Sequence, residues 1–160
     1  MSFKIIVDAD ACPVKSEIVS TAAMFHVPVM MVASFDHRLA AAEGVEIVQV
    51  DRSDQSVDLF IANRISAGDI LVTQDFGLAA IGLGKKAFVL SNRGQEYTDK
   101  TIDYLLDRRH EQAKKRRAGH HTKGPRAFSA DDRKTFLQSL TKLLVLLQEN
   151  EGDKANIPKC

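Results

Sequence analysis

Apolar residues occur along this chain in two alternating rhythms. Short unbroken runs read as buried strands: Lys4 to Val7, Val27 to Ala33, Glu46 to Val50, Asp69 to Thr73 and Lys86 to Leu90. Between them, apolar residues recur at helical spacing. Val14, Ile18, Val19, Ala22 and Ala23 mark one face of a helix that Pro13 opens and that runs to Met24. Val57, Phe60, Ile61 and Ile65 mark a second, capped by Ser53 or Asp54 and ended by Gly68. A short third helix spans Phe76 to Leu83, with Gly84 as its stop. Ser91 to Gly94 is a loop, and Thr98 caps a long helix that starts at Asp99 and is basic towards Arg117. Residues 118–127 form a Gly/His/Lys/Pro loop. Ser129-Ala-Asp131-Asp132 then caps a last helix over about 130–148, with Phe136, Leu137, Leu140, Leu143, Leu144 and Leu147 inward.

Strand and helix alternate throughout, which predicts parallel βαβ units and a three-layer α/β/α sandwich with a mostly parallel central sheet and C-terminal helices. The 160 residues suffice for one domain with a real core, expected over residues 1–150, with a flexible tail over 151–160. No stretch approaches the roughly 18 apolar residues of a membrane span, and no secretion signal is readable at the N-terminus. Two cysteines, Cys12 and Cys160, form no disulfide framework and no metal-type spacing. A cytoplasmic protein is the expectation, with Cys12 a small structural residue rather than a nucleophile.

The first strand ends abruptly in Asp8-Ala-Asp10. Carboxylates closing a buried strand are costly without a partner, and a divalent cation is a common one. In a parallel α/β sheet a site lies at the carboxyl ends of the strands. Asp8 and Asp10 follow the first strand, Asp75 follows the fourth, and Asp58 lies one turn into the helix before it. These four acids are the candidate catalytic and metal-ligating residues, and oxygen ligands of this kind favour Mg²⁺ or Mn²⁺. One or two such ions would activate water and stabilise charge on a phosphodiester. Plainer roles compete. Asp10 and Asp75 would each serve as a helix cap, and Asp58 as an exposed helix position. Asp8 has no comparable alternative, because it directly continues a buried strand.

The formal net charge is only +1, from 22 basic and 21 acidic side chains, but the charges are segregated. Eight Lys or Arg fall between Arg108 and Arg126, against a single acid, Glu111. Of these, Arg109, Lys114, Lys115, Arg116, Arg117, Lys123 and Arg126, together with Arg93 after the fifth strand, are candidate contacts to a phosphate backbone. Gly119 and Gly124 would permit close approach. A solvated helix end is the alternative, since cations also complement the helix dipole. RNA is the expected partner. With 6% aromatics and no Trp, extensive base stacking is not expected.

The run Val7-Asp8-Ala-Asp10-Ala-Cys12-Pro13 resembles the signature of the YaiI/YqxD proteins, the DUF188 or UPF0178 group of bacteria. Asp58-Leu-Phe-Ile-Ala-Asn63, the stretch from Gly68 to Leu78 with Thr73-Gln-Asp75, and Lys123-Gly-Pro125-Arg126 with Asp132-Arg133 are similar to it too. The resemblance extends to about Leu147. It implies a PIN-like domain, the fold of metal-dependent ribonucleases, with Asp8, Asp58 and Asp75 as metal ligands. Asp10 would be a fourth acid, with Thr73 and Asn63 in support. PIN domains commonly carry a further acid on the helix after the second strand, and this chain has no clear equivalent. Two other functions fit parts of the pattern: a non-catalytic RNA-binding or ribosome-associated module, and a haloacid-dehalogenase-type phosphatase using Asp8 as nucleophile and Asp10 as acid/base. Against the latter, Ala11-Cys12 follows where Thr or Val is usual, and no later Lys with paired acids appears.

Overall fold

The computed structural model describes residues 3–34, 42–51, 54–121 and 126–155, the side chains of 54, 55 and 152–155 excepted. The expected cap at Ser53 or Asp54, the candidate contact Lys123, Gly124 and the tail from 156 lie outside what is described. Among the described residues, six strands form one sheet in the order β3-β2-β1-β4-β5-β6. They are β1 (Ile5–Asp8), β2 (Val29–Ser34), β3 (Val45–Val50), β4 (Ile70–Val72), β5 (Phe88–Leu90) and β6 (Glu96–Tyr97). The first five pair in parallel, and β6 pairs antiparallel with β5. The helices among the described residues are α1 (Lys15–Met24), α2 (Asp54–Arg64), α3 (Phe76–Gly84), α4 (Asp99–Arg117) and α5 (Ala130–Ala155).

Successive strand residues point to opposite faces, and both faces are covered. Ile5, Val7, Val29, Met31, Ala33, Ile70 and Val72 pack with Val14, Ile18 and Ala22 around α1 and with Phe136, Leu140, Leu144 and Leu147 of α5. Ile6, Met30, Val32, Leu71 and Val89 face the other way, onto Val57, Ile61 and Ile65 around α2, Leu78 and Ala79 of α3, and Ile102 of α4. This is the three-layer sandwich, and it explains why the strands read as unbroken apolar runs. At the amino edge of the sheet, the buried turn acid Asp69 accepts hydrogen bonds from the Lys4 amide at 3.1 Å, Lys4 Nζ at 2.8 Å and the Ser66 amide at 2.8 Å.

Four expectations need correction. Pro13 does not open α1: the N-cap is Val14, which makes no side-chain cap bond, and Pro13 sits in the preceding turn. Gly84 is the last residue of α3, and the left-handed residue beyond it is Lys86, at φ 66°. The two-residue strand β6 is absent from the sequence reading because two residues carry no period. The last helix continues past Gln148 to Ala155, so residues 151–155 are helical rather than a tail. The polar run there contains helix-compatible residues and meets no proline until Pro158.

The chain leaves β1 towards β2 by way of α1, on one face of the sheet. It leaves β4 towards β5 by way of α3, on the other. Loops that diverge from neighbouring parallel strands open a crevice at their carboxyl ends. That crevice lies between the ends of β1 and β4.

Candidate functional site

Asp8 is the last residue of β1 and is half-buried, paired in register with Val32. Thr73 follows β4 and is fully buried. Its hydroxyl donates to Asp8 Oδ2 at 2.8 Å and accepts the Asp75 amide at 3.0 Å. Asp75 is the N-cap of α3: its Oδ1 accepts the Leu78 amide at 3.0 Å. Asp10 is not the N-cap of α1, a position that Val14 takes. Its Oδ1 accepts the Ser34 amide at 2.9 Å and the Ser34 hydroxyl at 3.3 Å, tying the turn after β1 to the end of β2.

Burial raises the Asp8 carboxyl above its ordinary value. The Thr73 hydroxyl opposes that rise, and the negative charges of Asp75 and Asp10 add to it. Burial, with the Asp75 charge as the smaller cause, pushes the Tyr97 phenol up to about 12. The structure therefore joins Asp8, Thr73 and Asp75 by hydrogen bonds, with Asp10 near enough for its charge to act on Asp8. Asp58 is half-buried on α2. Asn63 is exposed on the last turn of α2.

Among the described residues the donor set is hard: carboxylates and a hydroxyl. Cys12 is buried, and burial pushes its thiol up to about 11, so it is neither a ready ligand nor a nucleophile at neutral pH. Among the described residues, no three His, Cys, Asp or Glu side chains converge as a closed metal cage. A hard cation that keeps part of its water shell needs only one or two carboxylates. The bonds above use one oxygen of Asp8 and one of Asp75, which leaves Asp8 Oδ1 and Asp75 Oδ2 for such an ion. The mutual repulsion felt at Asp8 is what a cation would relieve. The residues fit a hydrated Mg²⁺ or Mn²⁺ in this open sense.

Asn92, just past β5, joins the site from below. Its amide donates to Gln74 Oε1 at 3.0 Å and its Nδ2 donates to the Ala11 carbonyl at 3.1 Å. Sequence reasoning passed over Ser34, Gln74 and Asn92. The available signal was positional: each is a polar residue at or just beyond a strand's carboxyl end.

The basic candidates divide into two sets. Arg109, Lys114, Lys115, Arg116 and Arg117 are exposed towards the end of α4. Arg93 and Arg126 are instead engaged by one buried carboxylate. Asp132 accepts Arg93 Nη1 at 2.7 Å, Arg126 Nη1 at 2.7 Å and Arg126 Nη2 at 2.6 Å, and also the Ser129 amide at 3.0 Å. The Arg93 and Arg133 guanidiniums lie over the Phe128 ring, 5.7 and 5.3 Å from its centre. Arg133 donates to the Pro13 carbonyl at 2.9 Å and to Glu17 at 2.6 Å. This clasp holds the end of the basic loop against the segment that follows Asp10 and Cys12.

The model of the uncharacterised YaiI/YqxD family, DUF188, matches residues 6–146, a span that includes all four candidate acids and Asp132. A UPF0178 protein of Bacillus pumilus is 47% identical over 141 residues, which is 88% of this chain and 85% of that one. A UPF0178 protein of Halalkalibacterium halodurans is 46% identical over 142 residues, 89% of this chain and 90% of its own. One of Listeria monocytogenes serotype 4b is 46% identical over 141 residues, 88% of this chain and 97% of its own. No solved structure matches.

Proposed function

The chain belongs to the YaiI/YqxD family, and on that premise we propose that it is a Mg²⁺- or Mn²⁺-dependent nuclease acting on RNA. The observation that carries this reading is the state of Asp8. It is a half-buried strand-end carboxylate at the crevice between β1 and β4, held by Thr73 and pressed by the charges of Asp75 and Asp10. Structural acids are normally arranged to reduce such repulsion, and a site for a cation is arranged to accumulate it.

Asp8 and Asp75 would hold the ion, with Asp10 orienting solvent or adding a ligand. When bound, the ion would neutralise charge on the scissile phosphate and favour ionisation of attacking water. Thr73 fixes the Asp8 carboxyl by one oxygen and leaves the other for the ion. Asp75 is fixed in the same way by its cap bond to Leu78. The exposed cations of α4 supply a sequence-independent attraction for the polymer.

The test is incubation of a generic single-stranded RNA with the protein and Mn²⁺ or Mg²⁺. Cleavage that a chelator abolishes is expected. Intact RNA under every divalent ion would overturn the reading.

A second reading, a non-catalytic RNA-binding module, draws on a different observation. Asp75 and Asp10 each already perform a structural task, and no three acids close into a cage among the described residues. It predicts salt-sensitive RNA binding that is indifferent to metal and survives loss of Asp8.

A further inference from the structure

Asn92 is 4% exposed, so almost every polar atom it carries must find a partner inside the protein. Two do. The backbone amide donates to Gln74, the neighbour of Asp75, and Nδ2 donates to the carbonyl of Ala11, the neighbour of Asp10. The third, Oδ1, is buried and meets no donor. Turning the carboxamide over is no remedy, because it would set oxygen against the Ala11 carbonyl and orphan the nitrogen instead. Among the described residues that donor is missing, and the smallest group that supplies one to a buried polar atom is water.

We propose that Asn92 is a positioning residue of the acid site: its side-chain oxygen seats an ordered water that, with its two direct hydrogen bonds, fixes the Asp10 and Asp75 turns against each other. Asn92 stands two residues beyond β5, while those turns follow β1 and β4. One residue, through its backbone amide to Gln74 and its side chain to Ala11, thus ties together the carboxyl ends of three adjacent strands. The role stands whether or not the acids cut RNA, and its test uses no substrate and no metal.

The experiment has two arms. A crystal structure that resolves ordered solvent should show a water within hydrogen-bonding distance of Asn92 Oδ1, and an empty or closed niche there overturns the proposal. In the second arm, Asn92→Leu and Asn92→Ala are compared by amide hydrogen exchange at Asp75 and Ser34, whose amides bond to Thr73 and Asp10. Leu fills the volume but excludes water, so both amides should exchange about tenfold faster than in the wild type. Ala leaves room for water to bridge the polar groups, so both should stay close to wild type. If Asn92 only filled space, the order would reverse, with Ala the more disruptive. That reversal, or equal effects of the two variants, overturns the proposal. Should the Leu variant fail to fold, the Ala variant and the crystallographic water still decide it.

Discussion

Thr73 donates its hydroxyl hydrogen to Asp8 Oδ2 at 2.8 Å while accepting the Asp75 amide at 3.0 Å, so one side chain links the ends of β1 and β4. Thr73→Val keeps the shape and removes both bonds. A hydrogen bond to a charged group is worth about 1.5–3 kcal/mol, and that is the expected loss at pH 7. The Asp8 carboxyl is already raised by burial, and without Thr73 it rises further. A raised carboxyl binds its proton more readily folded than unfolded, so it penalises folding increasingly as pH rises above the ordinary value of 3.8. The penalty disappears below that value. Urea unfolding at pH 7 and near pH 4 should therefore show a smaller cost of Thr73→Val at the acid pH. Equal costs at both would contradict this account of the pair.

Asp132 has the opposite sign. The hydrogen bond from Arg126 holds its carboxyl well below the ordinary carboxylate range, against the opposing effect of burial and with help from Ser129. Its contribution to stability is therefore present above its ordinary value of 3.8 and is lost as pH falls further. Asp132→Asn should lower the melting midpoint at pH 7, and the gap from wild type should narrow as pH drops below 3.8. Arg126→Ala should cost less, because Arg93 remains on the same carboxylate and the Arg126 side chain is two-thirds exposed. A larger effect of Arg126→Ala than of Asp132→Asn would contradict the clasp.

The exposed cations of α4 should act through phosphate charge alone. Replacing Lys114, Lys115, Arg116 and Arg117 with Gln should weaken RNA binding similarly for unrelated sequences. It should also flatten the salt dependence, by about 0.7 in the log–log slope for each single-strand phosphate that is no longer neutralised. Binding measured between low and moderate salt checks this. An unchanged slope would place the RNA elsewhere on the protein.

Gly94 tests the packing behind the site. It adopts φ +85°, and a Cβ there would lie 2.8 Å from the Thr135 carbonyl oxygen and 2.9 Å from Phe136 backbone atoms. Gly94→Ala should cost at least about 1–2 kcal/mol from the left-handed backbone alone. Thermal unfolding reads the loss, and a neutral substitution would show that the β5–β6 turn can move away from α5.

The layer architecture was legible because buried parallel strands and amphipathic helices leave different periods in a sequence, and Ile5-Ile6-Val7 or Phe136 to Leu147 display them without ambiguity. The acid site was legible in part. Asp8 and Asp75 betray themselves by following buried strands. Asp10 and Asp75 also turned out to serve local hydrogen bonding, which sequence raised for both and located only for Asp75. Asp58 shares helical spacing with a core face, and spacing alone does not say whether it reaches another element's carboxylate. Arg93 and Arg126 read as free cations because their partner, Asp132, reads as an ordinary helix-start acid. Ion pairing across loops has no period. Asn92 was silent for the same reason: its importance lies in three strand ends meeting, which is a property of the sheet order.

Asp8 is the point on which the functional account turns. The most direct measurement is single-turnover cleavage of one RNA strand in Mn²⁺ by the wild type and by Asp8→Asn, with binding of the same strand measured in parallel. The account predicts that Asp8→Asn binds RNA as the wild type does and cleaves at least about 100-fold more slowly, the scale expected when a key electrostatic group is lost. Equal cleavage by the two proteins would contradict it.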